Sequence, residues 1–316
     1  MNHTVWRWAG LVLAVGAVAL APVVLPSYYQ YLACLVMINV IMALGLNVLT
    51  GNSGQISLCH SSFMAIGAYL FTILSNTLHW NLGWCALIAI LGAALGGWVV
   101  GYPARRLAGI YLALATLAFL ALTQTAIEEF PDLTGGIRGL KLENASWFGV
   151  SARDPHLMFY IVAMSCAVCW YSVHCLMNFP LGRAFDAIRT SPQAAMAFGV
   201  PVARTKLVAF TLSATCAGWA GVLFAWVVGF IDPVEFGVGS SLKYITFIVV
   251  GGTGSILGSW LGAVSLTLLP ELLRGVKEYS DLVYALMLLG SLMFMPRGLA
   301  GWVKGLLSQL RTRGQP

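Results

Sequence analysis

Charge is what this chain has least of. Only 9% of its 316 residues are Asp, Glu, Lys or Arg, against 59% hydrophobic. A soluble globular domain of this size carries about 25% charged residues, so the composition indicates a polytopic membrane protein. The apolar runs recur along the whole length and leave no stretch for a soluble catalytic domain. Further absences narrow the chemistry. Gly251-Gly252-Thr253-Gly254-Ser255-Ile256-Leu257-Gly258 has the glycines of a phosphate-binding loop, but Ser259-Trp260 follows where Lys-Ser or Lys-Thr is required. Cys166 and Cys169 have a redox or metal spacing without a His or acid at ligand spacing, so they read as small buried hydrophobes and no metal site is expected. Cys34, Cys59, Cys85, Cys175 and Cys216 likewise fall almost entirely in apolar segments and imply no disulfide framework. His60 has no carboxylate near it in sequence, so a hydrogen-bonded structural histidine is expected rather than a proton relay. No nucleophile and base are paired, so neither covalent chemistry nor a cofactor is expected of the chain itself.

What the chain does have is hydrophobic segments. Candidate spans are Ala9–Leu25, Tyr31–Leu49, Ser61–Leu78, Trp84–Val100, Ile110–Ile127, Leu157–Met177, Leu207–Phe230, a broken pair over Phe236–Leu273, and Leu282–Met295. Ala9–Leu25 is kept as a membrane helix because no small-residue cleavage site precedes Pro26-Ser27-Tyr28. With the pair counted as two, the expectation is an all-α fold of about ten segments, with half-helices in the broken pair. The net charge of +6 then reads as orientation, not nucleic-acid binding. With a cytoplasmic N-terminus, Arg7, Arg105, Arg106, Arg183, Arg189, Arg204, Lys206, Arg297, Lys304, Arg311 and Arg313 fall inside, 11 of the 17 basic residues. Arg138, Lys141, Arg153, Lys243, Arg274 and Lys277 fall outside. An even number of segments keeps the basic tail inside with the N-terminus.

Polar interruptions mark the functional candidates. Asn178–Lys206 carries Arg183, Arg189, Arg204 and Lys206 against the single acid Asp186. Leu181, Phe185 and Ile188 predict one short amphipathic helix. Ser191 as N-cap, Pro192 at the first position, Gly199 as left-handed stop and Pro201 beyond predict a second. The uncharged stretch Gly51, Asn52, Ser53, Gly54, Gln55, Ser57 and His60 lies between two spans. It is either a tight cytoplasmic turn or an unwound segment on a solute path, since backbone leaves helix at membrane depth only where protein or a wet cavity satisfies it. Gly251, Gly252, Thr253 and Gly254, with Gly262 and Ala263, predict a close-packed hairpin of broken helices. Glu128–His156 is the longest outside loop and carries Glu128, Glu129, Asp132, Glu143 and Asp154. These acids suit either a solvated surface or the basic rim of a soluble partner.

Four of these stretches resemble one family. Gln193-Ala194-Ala195 followed by Gly199 is similar to the "E-A-A-x-x-x-G" loop of ABC importer permeases, with Gln193 in place of the acid. Gly182-Arg183-Ala184, Ala187-Ile188-Arg189, Ala209-Phe210, Ser213-Ala214 and Gly218-x-x-Gly221 resemble the branched-chain amino acid (LivM-type) branch. So do Gly51 to His60, where Cys59 replaces the usual Gly, Thr134-Gly135-Gly136-x-x-Gly139-Leu140, and Gly251 to Ala263. The resemblance runs from Asn39 to Gly298 and implies a single transmembrane permease domain over 1–316 in the bacterial inner membrane. It implies a cytoplasmic coupling loop at 178–206 built on Arg183, Arg189, Gln193, Ala194, Ala195, Gly199 and Arg204. It also implies two ATP-binding subunits, a second homologous permease and an external substrate-binding protein as partners. Branched-chain amino acids, urea, short amides and aromatic acids stay open as cargo, and hydropathy alone would also suit a secondary transporter or channel.

Overall fold

The computed structural model describes residues 22, 25–143, 146–147, 150–151, 154–272, 286, 289–290 and 298–301. The expected spans Ala9–Leu25 and Leu282–Met295 lie outside these apart from isolated positions. Among the described residues, six helices are long and apolar enough to cross a bilayer. They are α1 (Ser27–Leu46), α2 (His60–Leu78), α3 (Leu82–Ala104), α4 (Ile110–Glu129), α5 (Pro155–Asn178) and α8 (Val202–Val228). Between the last two come the short helices α6 (Pro180–Thr190) and α7 (Pro192–Ala197). The expected broken pair is present as α9 (Val238–Gly251) and α10 (Ile256–Leu272). With 14 residues α9 rises only ~21 Å, short of a ~30 Å hydrocarbon layer.

Helix starts follow local chemistry. Proline opens α5, α6 and α7, where its missing N–H costs nothing. Asn81 accepts from the Gly83 N–H at 3.0 Å to cap α3, and Asp154 accepts from the His156 N–H at 3.1 Å to cap α5.

Apolar residues surround most of these helices, so size rather than polarity decides which face turns inward. α3 is the clearest case. It buries Cys85, Ala89, Ala93, Gly97 and Gly101, and exposes Trp84, Leu87, Leu91, Leu95, Trp98 and Tyr102. The exposed stripe covers ~27 Å along the helix and carries aromatic residues at both ends, as a lipid-facing surface does. Arg105 lies 3.8 Å above the Tyr102 ring centroid and closes it.

α8 is the axis of the bundle and packs on α1, α2 and α3. Its Gly218-x-x-Gly221 makes that possible. A Cβ at Gly67 of α2 would strike the Gly218 carbonyl oxygen, and one at Gly221 would strike the Met64 carbonyl oxygen. The α2–α8 crossing is therefore backbone against backbone. α1 is the other interior helix, with Val40 to Leu46 wholly buried, and it also packs on α5 and α10.

The two ends of the bundle differ in charge. Arg105, Arg106, Arg183, Arg189 and Arg204 gather at one, here the basic end. Glu128, Glu129, Asp132 and Glu143 gather at the other, the acidic end. There Leu140–Lys141 pairs antiparallel with Phe230–Ile231, Leu140 facing Ile231, and Asn76 donates to the Lys141 carbonyl oxygen at 2.7 Å. A second small pair, Ser146–Trp147 with Val150–Ser151, follows in the same loop.

Candidate functional site

The uncharged stretch after α1 does not unwind where the sequence suggested. Asn47–Asn52 stays helical in a wider, π-wound turn, and the backbone leaves helix only at Ser53. The reason lies in Gly51. Its missing Cβ leaves the space taken by the Asn47 side chain, whose Oδ1 accepts the Gly254 N–H at 2.8 Å. The hairpin turn between α9 and α10 is thus fastened to the end of α1. Gly251 sits against the Gly258 carbonyl oxygen and Gly262 against that of Phe247, which gives the close-packed hairpin expected of those glycines.

Arg189 of α6 joins the two glycine turns. Gly54 (φ +71°) presents its bare Cα to the Arg189 side chain, with a Cβ position 3.4 Å from Cγ. Gly254 (φ +79°) presents its own to the guanidinium, with a Cβ position 2.5 Å from Nη1. The expected coupling-loop residue Arg189 and the expected path residues Gly51, Gly54 and Gly254 therefore meet at one place, at the basic end. Gly252 is buried beside them and Thr253 is exposed.

From Ser53 the chain runs without helix or strand to the start of α2 at His60. Several of its polar groups find partners within the chain. Ser53 Oγ donates to the Leu49 carbonyl oxygen at 2.6 Å, and Gln55 Nε2 donates to Ser53 Oγ at 2.9 Å and to the Lys206 carbonyl oxygen at 3.2 Å. The Leu58 N–H donates to Thr116 Oγ1 at 3.0 Å. Thr116 is six residues past Ile110, ~9 Å along α4. Ser57 is buried with its hydroxyl 3.4 Å from Cys59 Sγ. Asn52 is buried as well. His60 then opens α2 at 1% exposure. Its Nε2 donates to the Met42 carbonyl oxygen at 3.1 Å, and Nδ1 lies 3.4 Å from Ser213 Oγ. That is the structural histidine expected from the sequence. One residue on, Ser61 Oγ lies 2.6 Å from Ser241 Oγ, which ties the start of α2 to the first turns of α9.

The loop between α5 and α8 holds both short helices. In α6, Phe185 and Ile188 are buried with Gly182, while Arg183 and Asp186 are exposed and Arg189, also solvent-accessible, packs against the two glycine turns. In α7, Ser191 Oγ accepts from the Ala194 N–H at 3.2 Å, Pro192 takes the first position and Gly199 (φ +80°) ends the helix. One expected coupling-loop residue is not available at the surface. Ala195 is only 3% exposed and turns into the chain's own core, so it cannot form an outer surface with Ala194. The outward apolar residues are Met196 and Phe198, 56% and 88% exposed. Gln193, Ala194 and Arg204 are exposed too.

At the acidic end lies a feature that motif reading missed. A cleft of about 510 Å³ is lined by Gln124, Glu128, Glu235, Gly237, Gly239 and Ser240, among others. It joins the end of α4 to the start of α9. Glu128 and Glu235 are over 100 positions apart and share no motif, so only the fold reveals them as neighbours.

Helices that begin or stop part-way through a bundle, around polar turns sealed by glycine, are the build of a solute-transporting membrane protein. Sequence comparison makes the class specific: the chain belongs to the branched-chain amino acid transport system permease component family, whose model matches residues 28–292. The high-affinity branched-chain amino acid transport system permease protein LivM of Escherichia coli is 35% identical over 294 residues, covering 85% of this chain and 69% of LivM. LivH of the same organism is 27% identical over 289 residues, covering 83% and 90%. The autoinducer 2 import system permease protein LsrC of Klebsiella pneumoniae is 34% identical over 223 residues, covering 66% and 60%. No solved structure matches the chain significantly.

Proposed function

We propose that this permease is the membrane subunit of an ATP-driven importer for branched-chain amino acids in a bacterial inner membrane. The match to LivM over most of both chains carries that reading. In it, residues 1–316 form one transmembrane domain of ten segments with both termini in the cytoplasm, and ATP is bound by partner subunits. Two ATPases dock at the basic end on α6 and α7, a second permease of the LivH kind completes the path, and an external binding protein meets the acidic end. Arg189 carries the movement of α6 to two glycine turns at once, those closing α1 and the α9–α10 hairpin. Access then alternates as the ATPases cycle. Co-purification of the two ATPases and the second permease, with ATP-dependent L-leucine uptake in proteoliposomes, tests the whole reading; a chain that purifies alone and moves leucine without ATP would refute it.

Two narrower outcomes follow from this reading. Single cysteines at Ser151 and Thr190, in a cysteine-free background, should label from opposite faces of intact cells. Labelling of both from outside would overturn the topology. Replacing Gly54 by Leu should abolish uptake while the complex stays assembled. The left-handed backbone there costs a side chain roughly 1–2 kcal/mol, and the added bulk is driven at Arg189. Uptake with unchanged affinity and rate would make this stretch a plain turn.

A further inference from the structure

The lipid-facing stripe of α3 ends in a seat for an anion. Trp98 and Tyr102, one turn apart and both half-exposed, stand with ring centroids 5.9 Å apart, and the Arg105 guanidinium lies 3.8 Å above the Tyr102 ring. A guanidinium seated over a ring still has its N–H edges to donate, in the planar fork that fits phosphate. Arg106 follows it and is exposed. No Asp or Glu occurs in the chain before Glu128, so α3, the turn 105–109 and all but the last two residues of α4 offer these cations no carboxylate. Among the described residues neither guanidinium makes an ion pair. Away from them the stripe continues through the exposed side chains of Leu95, Leu91 and Leu87. Two unneutralised guanidinia at the rim of an apolar face of nearly bilayer thickness match an anionic phosphate head that carries acyl chains. A soluble anion would match the arginines but not the aromatic and leucine track beside them.

We propose that Arg105 and Arg106 bind the phosphate of an anionic phospholipid, with its acyl chains along Trp98, Leu95 and Leu91 of α3. Tyr102 is the positioning residue, because its ring holds the Arg105 guanidinium at the rim. The site needs only a membrane-spanning chain and does not depend on the importer reading. Its place in the fold gives the lipid something to act on. A Cβ at Gly101 would lie 3.0 Å from Leu207 Cδ1 and 3.1 Å from Phe210 Cβ, so the same turn of α3 packs closely on the start of α8. A bound head there holds the end of α3 against the helix that follows the α6–α7 loop.

The test uses the full-length permease purified in detergent, with dioleoylphosphatidylglycerol and dioleoylphosphatidylcholine as probes, and counts bound lipid by native mass spectrometry. Phosphatidylglycerol should bind in preference to phosphatidylcholine. Replacing both arginines, Arg105→Gln with Arg106→Gln, should weaken that binding about 30-fold. Tyr102→Leu, which removes the ring beneath Arg105, should weaken it several-fold, whereas Tyr102→Phe should leave it unchanged. Arg183→Gln, at the same end of the bundle but off the α3 stripe, should leave it unchanged as well. Equal binding by the double variant, or an equal loss in Arg183→Gln, would overturn the site. Displacement of the bound lipid by inorganic phosphate would mark a soluble-anion site and overturn it too. Loss of the ATPase subunits from the double variant, with phosphatidylglycerol still bound, would assign these arginines to docking instead.

Discussion

Replacing Phe198 by Asp is expected to strip the ATPase subunits from the purified importer. Phe198 ends the α7 turn at 88% exposure, beside Met196, at the end of the molecule that we assign to ATPase docking. A large apolar side chain held out by a capped helix is what an interface anchor looks like, and truncating such an anchor costs roughly 2 kcal/mol or more, about 30-fold in affinity. Expression and insertion should stay normal, because Phe198 supports little within its own chain. Ala195→Asp makes the useful contrast. That residue is buried inside the chain, so the change places an unpaired carboxylate in the loop's own packing and should cost several kcal/mol of local stability. Gln193→Glu should be tolerated, since an acid suits a helix N-terminus. The measurements are co-purification in detergent and hydrolysis stimulated by loaded binding protein. Full retention of both by Phe198→Asp would show that coupling runs elsewhere.

A valine at Gly67 should sharply destabilise the folded protein. Its Cβ would occupy the position of the Gly218 carbonyl oxygen, an atom fixed in the middle of α8 that cannot rotate aside. The α2–α8 crossing would have to open along its length, costing about 3 kcal/mol. Gly96→Ala is the matched control. There the nearest atom is the mobile end of Ile66, 3.3 Å from the new Cβ, and a small rotation accommodates it. Monodisperse yield and melting temperature should fall sharply for the first and barely for the second. Equal behaviour would mean that this crossing is not set by backbone contact.

The spans of the described region were legible because a bilayer demands long apolar runs, and the expected limits of α2 to α5 fall within a few residues of those found. So were the ends of α7, because Ser191, Pro192 and Gly199 each satisfy a specific backbone need. The inward turn of Ala195 was not legible. A helix of six residues makes fewer than two turns and sets up no period from which a buried face can be read. The meeting of Gly51, Gly54, Gly254 and Arg189 was hidden for a different reason. Each glycine announced a turn, but nothing local says that turns 200 positions apart share one arginine. The acidic-end cleft was hidden because its carboxylates, Glu128 and Glu235, read as ordinary loop charge.

The Asn47 to Gly254 hydrogen bond has a consequence for how the chain is made. α1 emerges from the ribosome early, yet its partners α8 and α10, and the Gly254 N–H that Asn47 receives, come 155 residues or more later. Asn39, which donates to Thr267 Oγ1 at 3.0 Å, waits as long. Throughout synthesis these amides sit in the membrane without their final neighbours, so the half-made protein is a natural client for insertion chaperones and membrane proteases. A nascent chain stalled before Ile256 cannot bring up α10 to cover α1. Damage to the hairpin's glycines should therefore register first as lost abundance rather than as slow transport.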